Sequence, residues 1–134
     1  MTDRNTMLSM LFADGAAERQ LEEPAHKHIF RSSVLVRLLL LLELHNVNSG
    51  NPELDALREM RNAVVHNNGD LSLNRNTNSL ALVQRYLSDL ASGLIPSMHS
   101  EPLRPFFSLH GSSVRFDAGG ISEHCRQVFM KYVP

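Results

Sequence analysis

The sequence predicts an all-α protein, a helical bundle of about five helices with a small C-terminal β-hairpin. Three observations lead to this class. Apolar residues recur at helical spacing through most of the 134-residue chain. Proline, glycine and asparagine residues mark the expected helix ends. Strand-like alternation is confined to one segment, FFSLHGSSVRFD. With 43% hydrophobic residues, residues 1–134 are expected to form a single domain.

The first two predicted helices differ in their apolar character. A short helix is expected from about Asp3 to Phe12, with Gly15 as its stop. The second helix follows Pro24, a good first-turn residue, and runs without a breaker to His45. Its second half is apolar on nearly every side, whereas a surface helix shows a single apolar stripe. Two neighbours must therefore cover it. One interpretation adds a second copy of the chain to the protein's own core, and the other wraps the helix wholly in its own chain.

The third predicted helix has the clearest ends. Asn51 can accept a hydrogen bond at the N-cap, Pro52 suits the first helical position, and Glu53 complements the positive end of the helix dipole. Gly69 supplies a residue that tolerates the left-handed conformation found after many helices. The helix is therefore predicted to run from about Pro52 to Asn67.

The remainder of the chain is predicted to contain a polar, asparagine-rich loop, a fourth helix, a hairpin and a last helix. Gly93 and Pro96 close the fourth helix, Gly111 and Ser112 form the hairpin turn, and Ser122 caps the last helix. The apolar stripe of the fourth helix is Leu80, Val83, Leu87, Leu90 and Leu94. The core residues expected in the last helix are Cys125, Val128, Phe129 and Tyr132.

Charge and cysteine content indicate a compartment more clearly than a partner. The formal net charge of −1 provides no general attraction to nucleic acid, so any RNA contact must use a local basic patch. Cys125 is the single cysteine, and the N-terminal residues lack the pattern of a secretory signal. The most apolar run, Val34–Leu44, is interrupted by Arg37 and Glu43 and is shorter than the ~20 residues that span a bilayer. The protein is therefore expected to be soluble and cytoplasmic, with no membrane partner.

No metal or other cofactor is predicted. His26 and His28 lie two residues apart on a helix and so point to different sides. The sequence contains no cysteine-rich zinc pattern, no H-E-x-x-H motif and no glycine-rich loop between a strand and a helix. Any chemistry is therefore expected to come from amino-acid side chains alone.

The segment LREMRNAVVHNNGDLS, residues 57–72, carries the candidate site. Steps of 100° per residue place a buried stripe on one side of the third helix, Arg61 at its border, and Asn62 and His66 on the polar side. Arg61 and His66 lie about 140° apart around the axis. They can therefore meet at one ligand only through side-chain reach or across a groove. Near the C-terminal end of the helix, the dipole favours a protonated His66.

An arginine and a histidine in this arrangement can cleave RNA without a metal ion. The guanidinium can donate two parallel hydrogen bonds to phosphate oxygens, and the imidazole can transfer protons near neutral pH. In such a reaction a base removes the 2′-hydroxyl proton, the guanidinium stabilises the in-line phosphorane, and an acid protonates the departing 5′ oxygen. One helix offers one histidine, whereas a two-fold dimer would offer a pair.

The segment RNAVVH, followed by Asn-Asn-Gly at a helix end, resembles the R-x4-6-H signature of HEPN domains (higher eukaryotes and prokaryotes nucleotide-binding) over about 16 residues. The resemblance implies an HEPN-like helical bundle, a homodimer with the motif lining a shared cleft, and metal-independent endoribonuclease activity in toxin–antitoxin or other defence systems. It assigns phosphate stabilisation to Arg61, proton transfer to His66 and orientation of the site to Asn62. The implied partners are an RNA substrate and an antitoxin such as a nucleotidyltransferase. The hairpin and last helix are not part of the family's minimal bundle.

Several alternatives stay open at this stage. The protein could be a catalytically inactive module of the same fold that binds RNA, nucleotide or a partner protein, or a purely structural dimer. Arg61 could simply pair with an acid such as Glu59 or Asp55, and His66 could serve as a partner of the helix dipole. Two residues at the end of the second helix could reach the motif from the neighbouring helix, Glu43 and His45. Three other arginines are interpreted as solvated surface residues that could widen the basic strip: Arg58, Arg75 and Arg85.

Overall fold

The computed structural model describes residues 22, 24–45, 47, 51–94, 106–116 and 121–133. Within this part of the chain, the predicted helical protein with a small C-terminal hairpin is confirmed. The helices are α1 (Pro24–Leu44), α2 (Pro52–His66), α3 (Ser79–Ala91) and α4 (Ile121–Tyr132), and the antiparallel strands are β1 (Phe107–His110) and β2 (Ser113–Phe116). The short helix predicted from Asp3 to Phe12 lies outside the described residues.

Helix α1 is the centre of the described fold. It packs against α4, α2 and β2, and these elements bury most of its apolar second half. Leu40 and Leu44, one turn apart, are the exceptions, with 53% and 59% of their surfaces exposed. The chain's own elements therefore cover α1 on most sides and leave Leu40 and Leu44 open to solvent. Among the described residues, no helix combines the length and apolar character needed to cross a membrane.

Local signals set both ends of α2 as predicted. The Asn51 side chain accepts a hydrogen bond from the backbone N–H of Leu54 at 2.8 Å, and Pro52 occupies the first turn. At the other end the helix stops at His66, one residue earlier than predicted. Two left-handed residues follow, Asn68 with φ 52° and Gly69 with φ 89°.

Gly69 also joins the end of α2 to the hairpin. Its carbonyl accepts a hydrogen bond from the backbone N–H of Val114 at 2.9 Å. A Cβ at this position would lie 3.3 Å from the Val114 carbonyl oxygen, so the two backbones approach as closely as a glycine permits. The hairpin therefore supports the helix end that carries the candidate site.

The segment after Gly69 differs from the polar loop that was predicted. Leu71–Leu73 form a 3₁₀ turn, in which Leu71 is buried. Asp70 caps the turn, because its carboxylate accepts hydrogen bonds from the Ser112 hydroxyl at 2.7 Å and from the Ser72 hydroxyl and backbone N–H. These hydrogen bonds, with that of Ser112 the strongest cause, lower the pKa of Asp70 below its ordinary value. The two contacts of Asp70 with Ser72 are local, whereas the contact with Ser112 joins distant parts of the sequence and could not be predicted from it.

Helices α3 and α4 depart from their predicted limits in two details. Leu94 was expected in the apolar stripe of α3, but the helix ends at Ala91 and Leu94 is 73% exposed. The turn at Gly93, with φ 74°, carries the chain away from the core. Ser122 is not the N-cap of α4, since the helix already begins at Ile121. The predicted core residues of α4 are buried, except that Tyr132 is only partly so.

A buried polar network links the first turn of α2 to α3 and α4. The Glu53 carboxylate accepts hydrogen bonds from the Tyr86 hydroxyl at 2.9 Å, the Lys131 ammonium at 2.7 Å and the Tyr132 hydroxyl at 2.8 Å. The Tyr86 hydroxyl also lies 2.8 Å from Nε2 of His124. Burial, together with the nearby Glu53 charge, raises the pKa of Tyr86 well above its ordinary value. Glu53 is thus a tertiary contact as well as a partner of the helix dipole.

Candidate functional site

The three residues of the predicted site lie in the last turns of α2. Arg61 and Asn62 are partly buried, and His66 is exposed at the last position of the helix. The side chain of His66 makes no hydrogen bond or ion pair with any residue that the structure describes. Its imidazole is therefore accessible to a ligand.

Arg61 contacts two neighbours, one on its own helix and one on α1. Its Nε and Nη2 atoms donate to the Asn62 side-chain oxygen at 3.4 and 3.3 Å, and Nη1 lies 3.7 Å from Oε1 of Glu43. The acidic partner is thus Glu43, which the sequence had suggested as a residue able to reach the motif. Neither Glu59 nor Asp55, the other acids considered, takes this role.

The ion pair with Glu43 is too weak to hold the guanidinium in place. The two side chains are 26% and 49% exposed, and the distance of 3.7 Å is long for a direct hydrogen bond. Solvent-exposed pairs of this kind contribute about 0–1 kcal/mol. A phosphate that received two hydrogen bonds from Arg61 would interact more strongly than Glu43 does. Arg61 is therefore available to an anionic ligand.

An open groove of about 650 Å³ lies beside the last turns of α2. Asn62 and His66 line it, whereas Arg61 does not and faces α1 instead. The helix geometry explains this division, since Arg61 and His66 are about 140° apart around the axis. The full lining is Glu59, Asn62, His66, Asn67, Leu73, Asn74, Arg75 and Asn76.

Hydrogen bonds between α2 and the following loop hold the groove open. Asn74 donates to the Glu59 backbone carbonyl at 2.9 Å and to its Oε1 atom at 3.2 Å, and it accepts from the Asn67 side chain at 2.8 Å. The Ser79 hydroxyl donates to Glu59 and to the Asn76 carbonyl, the second at 2.7 Å. The groove therefore has a fixed wall opposite the helix.

Arg75 is exposed, as predicted, and the structure also brings it into the groove with His66. The run of asparagines around it was the available signal, because their amides supply the hydrogen bonds that fold the loop back onto α2. Their partners could not be read from the sequence alone.

Exposed apolar side chains border the motif on the side of Arg61. Val65 is 54% exposed and lies about 40° from Arg61 and 60° from Asn62 around the helix axis. Leu40 and Leu44 are exposed on α1, the helix that supplies Glu43. These three residues, Leu40, Leu44 and Val65, are called the apolar strip below.

In the described part of the chain, no three His, Cys, Asp or Glu side chains are grouped closely enough to hold a metal ion. Cys125 is fully buried, and burial raises the pKa of its thiol far above the ordinary value. It is a packing residue, as predicted.

Comparison of the chain with models of protein families, with curated proteins and with solved structures found no match in any of the three.

Proposed function

We propose that the protein is a metal-independent endoribonuclease of the HEPN type, which cleaves RNA at a site shared by two copies of the chain. The observation that carries the proposal is the exposed imidazole of His66 in an open polar groove, next to an amide that the Arg61 guanidinium contacts. A phosphodiester bound at Asn62 would then meet a proton-transfer group on one side and a phosphate-binding group on the other.

Asn62 is proposed to connect the two halves of the site. Its side-chain oxygen accepts from Arg61, which leaves the amide nitrogen to donate into the groove. A phosphate oxygen bound there would lie close to both His66 and the guanidinium. Asn62 therefore orients Arg61 and also contributes a hydrogen bond to the substrate.

The reaction requires two proton transfers. A neutral imidazole removes the proton of the 2′-hydroxyl, the 2′ oxygen attacks phosphorus, and the bond from phosphorus to the 5′ oxygen breaks. A protonated imidazole gives its proton to the departing 5′ oxygen. The products are a 2′,3′-cyclic phosphate and a free 5′-hydroxyl, so neither water nor an external reactant is consumed.

A second copy of the chain would complete the site. Each groove holds one imidazole among the described residues, whereas the reaction uses a base and an acid. Contact through the apolar strip would bury Leu40, Leu44 and Val65, which lie on the two helices that the Glu43–Arg61 ion pair joins. It would also bring two sets of Arg61 and His66 near one another. The homodimer is therefore part of the proposal.

The second candidate is a non-catalytic module that binds RNA or a partner protein. It is favoured by one observation, namely that Arg61 faces Glu43 and lies outside the groove of His66. In this interpretation the guanidinium has a structural role, and the groove binds RNA or a partner protein without any cleavage. The toxin–antitoxin or defence setting, with a nucleotidyltransferase antitoxin as partner, is proposed from the motif resemblance alone.

Cleavage in the presence of a chelator separates the two candidates. Purified protein is incubated with structured RNA in EDTA, and the ends of the products are analysed for 2′,3′-cyclic phosphate. We expect cleavage by wild type and by His110→Ala, a control that removes an exposed histidine at the hairpin, and loss of at least a hundredfold in His66→Ala. Equal, negligible cleavage by all three proteins would refute the nuclease and leave the binding module.

A further inference from the structure

Arg75 occupies an unusual position in the groove of His66. Its side chain is exposed and lines the groove, and it makes no hydrogen bond or ion pair with any described residue. Arg58 and Arg85 lie close to acids instead, at 3.9 Å from Asp55 and 4.0 Å from Asp89 respectively. Arg75 therefore brings a cation, unpaired among the described residues, to the groove where a substrate of His66 would lie.

The backbone on either side of Arg75 is anchored. Asn74 is held by Glu59 and Asn67 through three hydrogen bonds. Asn76 accepts a hydrogen bond from the Ser79 hydroxyl through its carbonyl and another from a backbone N–H through its side chain. An exposed residue between two anchored neighbours has a fixed Cα position, so less entropy is lost when its side chain binds a ligand.

The chemistry of the groove suits a nucleic-acid strand. Arg75 offers a planar fork that matches two oxygens of a phosphate. Leu73, 64% exposed, provides apolar surface for a sugar or base, and the volume of about 650 Å³ lies within the roughly 300–1,000 Å³ of small-ligand sites. The acid in the groove, Glu59, already accepts hydrogen bonds from Asn74 and Ser79, which direct its carboxylate toward the loop.

We propose that Arg75 binds the phosphodiester backbone of the RNA strand in the groove of His66. It contacts a phosphate next to the one that is cleaved and so positions the strand along the groove. The identity of the ligand as RNA rests on the proposed function. The role of Arg75 is substrate binding, whereas Arg61 stabilises the reacting phosphate.

Cleavage kinetics test the role of Arg75 when the enzyme is active. We expect Arg75→Ala to raise KM roughly tenfold with a much smaller change in kcat, because a charged hydrogen bond to a phosphate is lost from both the ground state and the transition state. Arg75→Lys keeps the charge and is expected to recover part of the loss. Arg115→Ala is the matched control, since Arg115 is also exposed, has no partner among the described residues, and lies outside the groove.

Binding of a strand that cannot be cleaved tests the same residue without catalysis. The probe is a single-stranded 2′-O-methyl oligoribonucleotide, which keeps the phosphates but lacks the nucleophile. On the His66→Ala background, we expect Arg75→Ala to weaken binding about tenfold. The slope of a plot of log K against log salt concentration should also become shallower by about 0.7, the value for one phosphate contact on a single strand.

The outcomes distinguish this inference from the proposed function. Binding that depends on Arg75, in a protein that cleaves no RNA, supports the phosphate contact and refutes the nuclease. Cleavage with the same KM for Arg75→Ala and Arg115→Ala overturns the inference and leaves the nuclease. Absence of binding to the probe by every variant, including His66→Ala alone, also overturns it. Thermal unfolding of Arg75→Ala should match wild type, since the side chain is exposed.

Discussion

Removal of the Glu53 carboxylate is expected to destabilise the protein without changing the chemistry of the candidate site. Glu53 accepts hydrogen bonds from Lys131, Tyr132 and Tyr86, and it is 7% exposed. Loss of one partner from a buried charge pair costs about 3–5 kcal/mol. The Lys131 side chain is 24% exposed, so it regains some hydration, and the expected cost of Glu53→Ala is at the lower limit, about 3 kcal/mol.

Glu53→Gln separates the charge from the shape of this side chain. The amide oxygen can still accept from Lys131 and Tyr132, while its nitrogen donates to the Tyr86 hydroxyl. Tyr86 then donates to Nε2 of His124 in place of Glu53, so the imidazole must carry its proton on Nδ1. The charge is lost and one hydrogen bond reverses direction, but each partner of Glu53 keeps a hydrogen bond, so we expect about 1–2 kcal/mol. A double-mutant cycle that combines Glu53→Gln with Lys131→Met should show that most of the lost stability comes from the interaction with the Lys131 ammonium group.

Equilibrium urea unfolding measures the change in the free energy of unfolding. The melting temperature should be lower by roughly 10–15 °C for Glu53→Ala. Cleavage well below the melting temperature should be unchanged. Glu53 and His66 are thirteen positions apart on α2, which is about 20 Å along the helix axis. A cost below about 1 kcal/mol for Glu53→Ala, or an equal cost for Glu53→Gln, would refute this account of the network.

Three further perturbations follow from the structure. Gly69→Ala should lose at least about 1–2 kcal/mol of stability in urea unfolding, because φ is 89° and the new Cβ would lie 3.3 Å from the Val114 carbonyl oxygen; wild-type stability would show that the helix end can rearrange. Serine hydroxyls lower the pKa of Asp70, so its carboxylate stabilises the fold above pH about 4 and loses this effect as pH falls through the lowered pKa. Wild type should therefore lose more stability than Asp70→Asn between pH 6 and pH 3 in thermal unfolding, and equal losses would contradict the assignment. If the proposed dimer forms through the apolar strip, Leu44→Glu should convert it to a monomer in light scattering, whereas Leu94→Glu, exposed elsewhere, should leave it dimeric. A wild-type monomer would refute the composite site.

The candidate site shows what helix periodicity can and cannot predict. The angular positions of Arg61 and His66 follow from 3.6 residues per turn, and they correctly place the two side chains on different sides of the helix. The same geometry contains no information about neighbouring elements. The sequence suggested that Glu43 could reach the motif and that Arg75 could widen the basic strip. Only the structure shows that Glu43 pairs with Arg61 and that Arg75 lies in the groove of His66.

The sequence by itself determined the features that depend on neighbouring residues. These include the cap of α2 at Asn51, its first turn at Pro52, its end before Gly69 and the hairpin turn at Gly111, since each depends on backbone preferences within a few residues. Tertiary structure alone decided the groove and the Glu53 network. Most of the hydrogen bonds in these two features join residues 7 to 79 positions apart. Such pairings arise because buried polar groups need partners, which packing selects from any part of the chain.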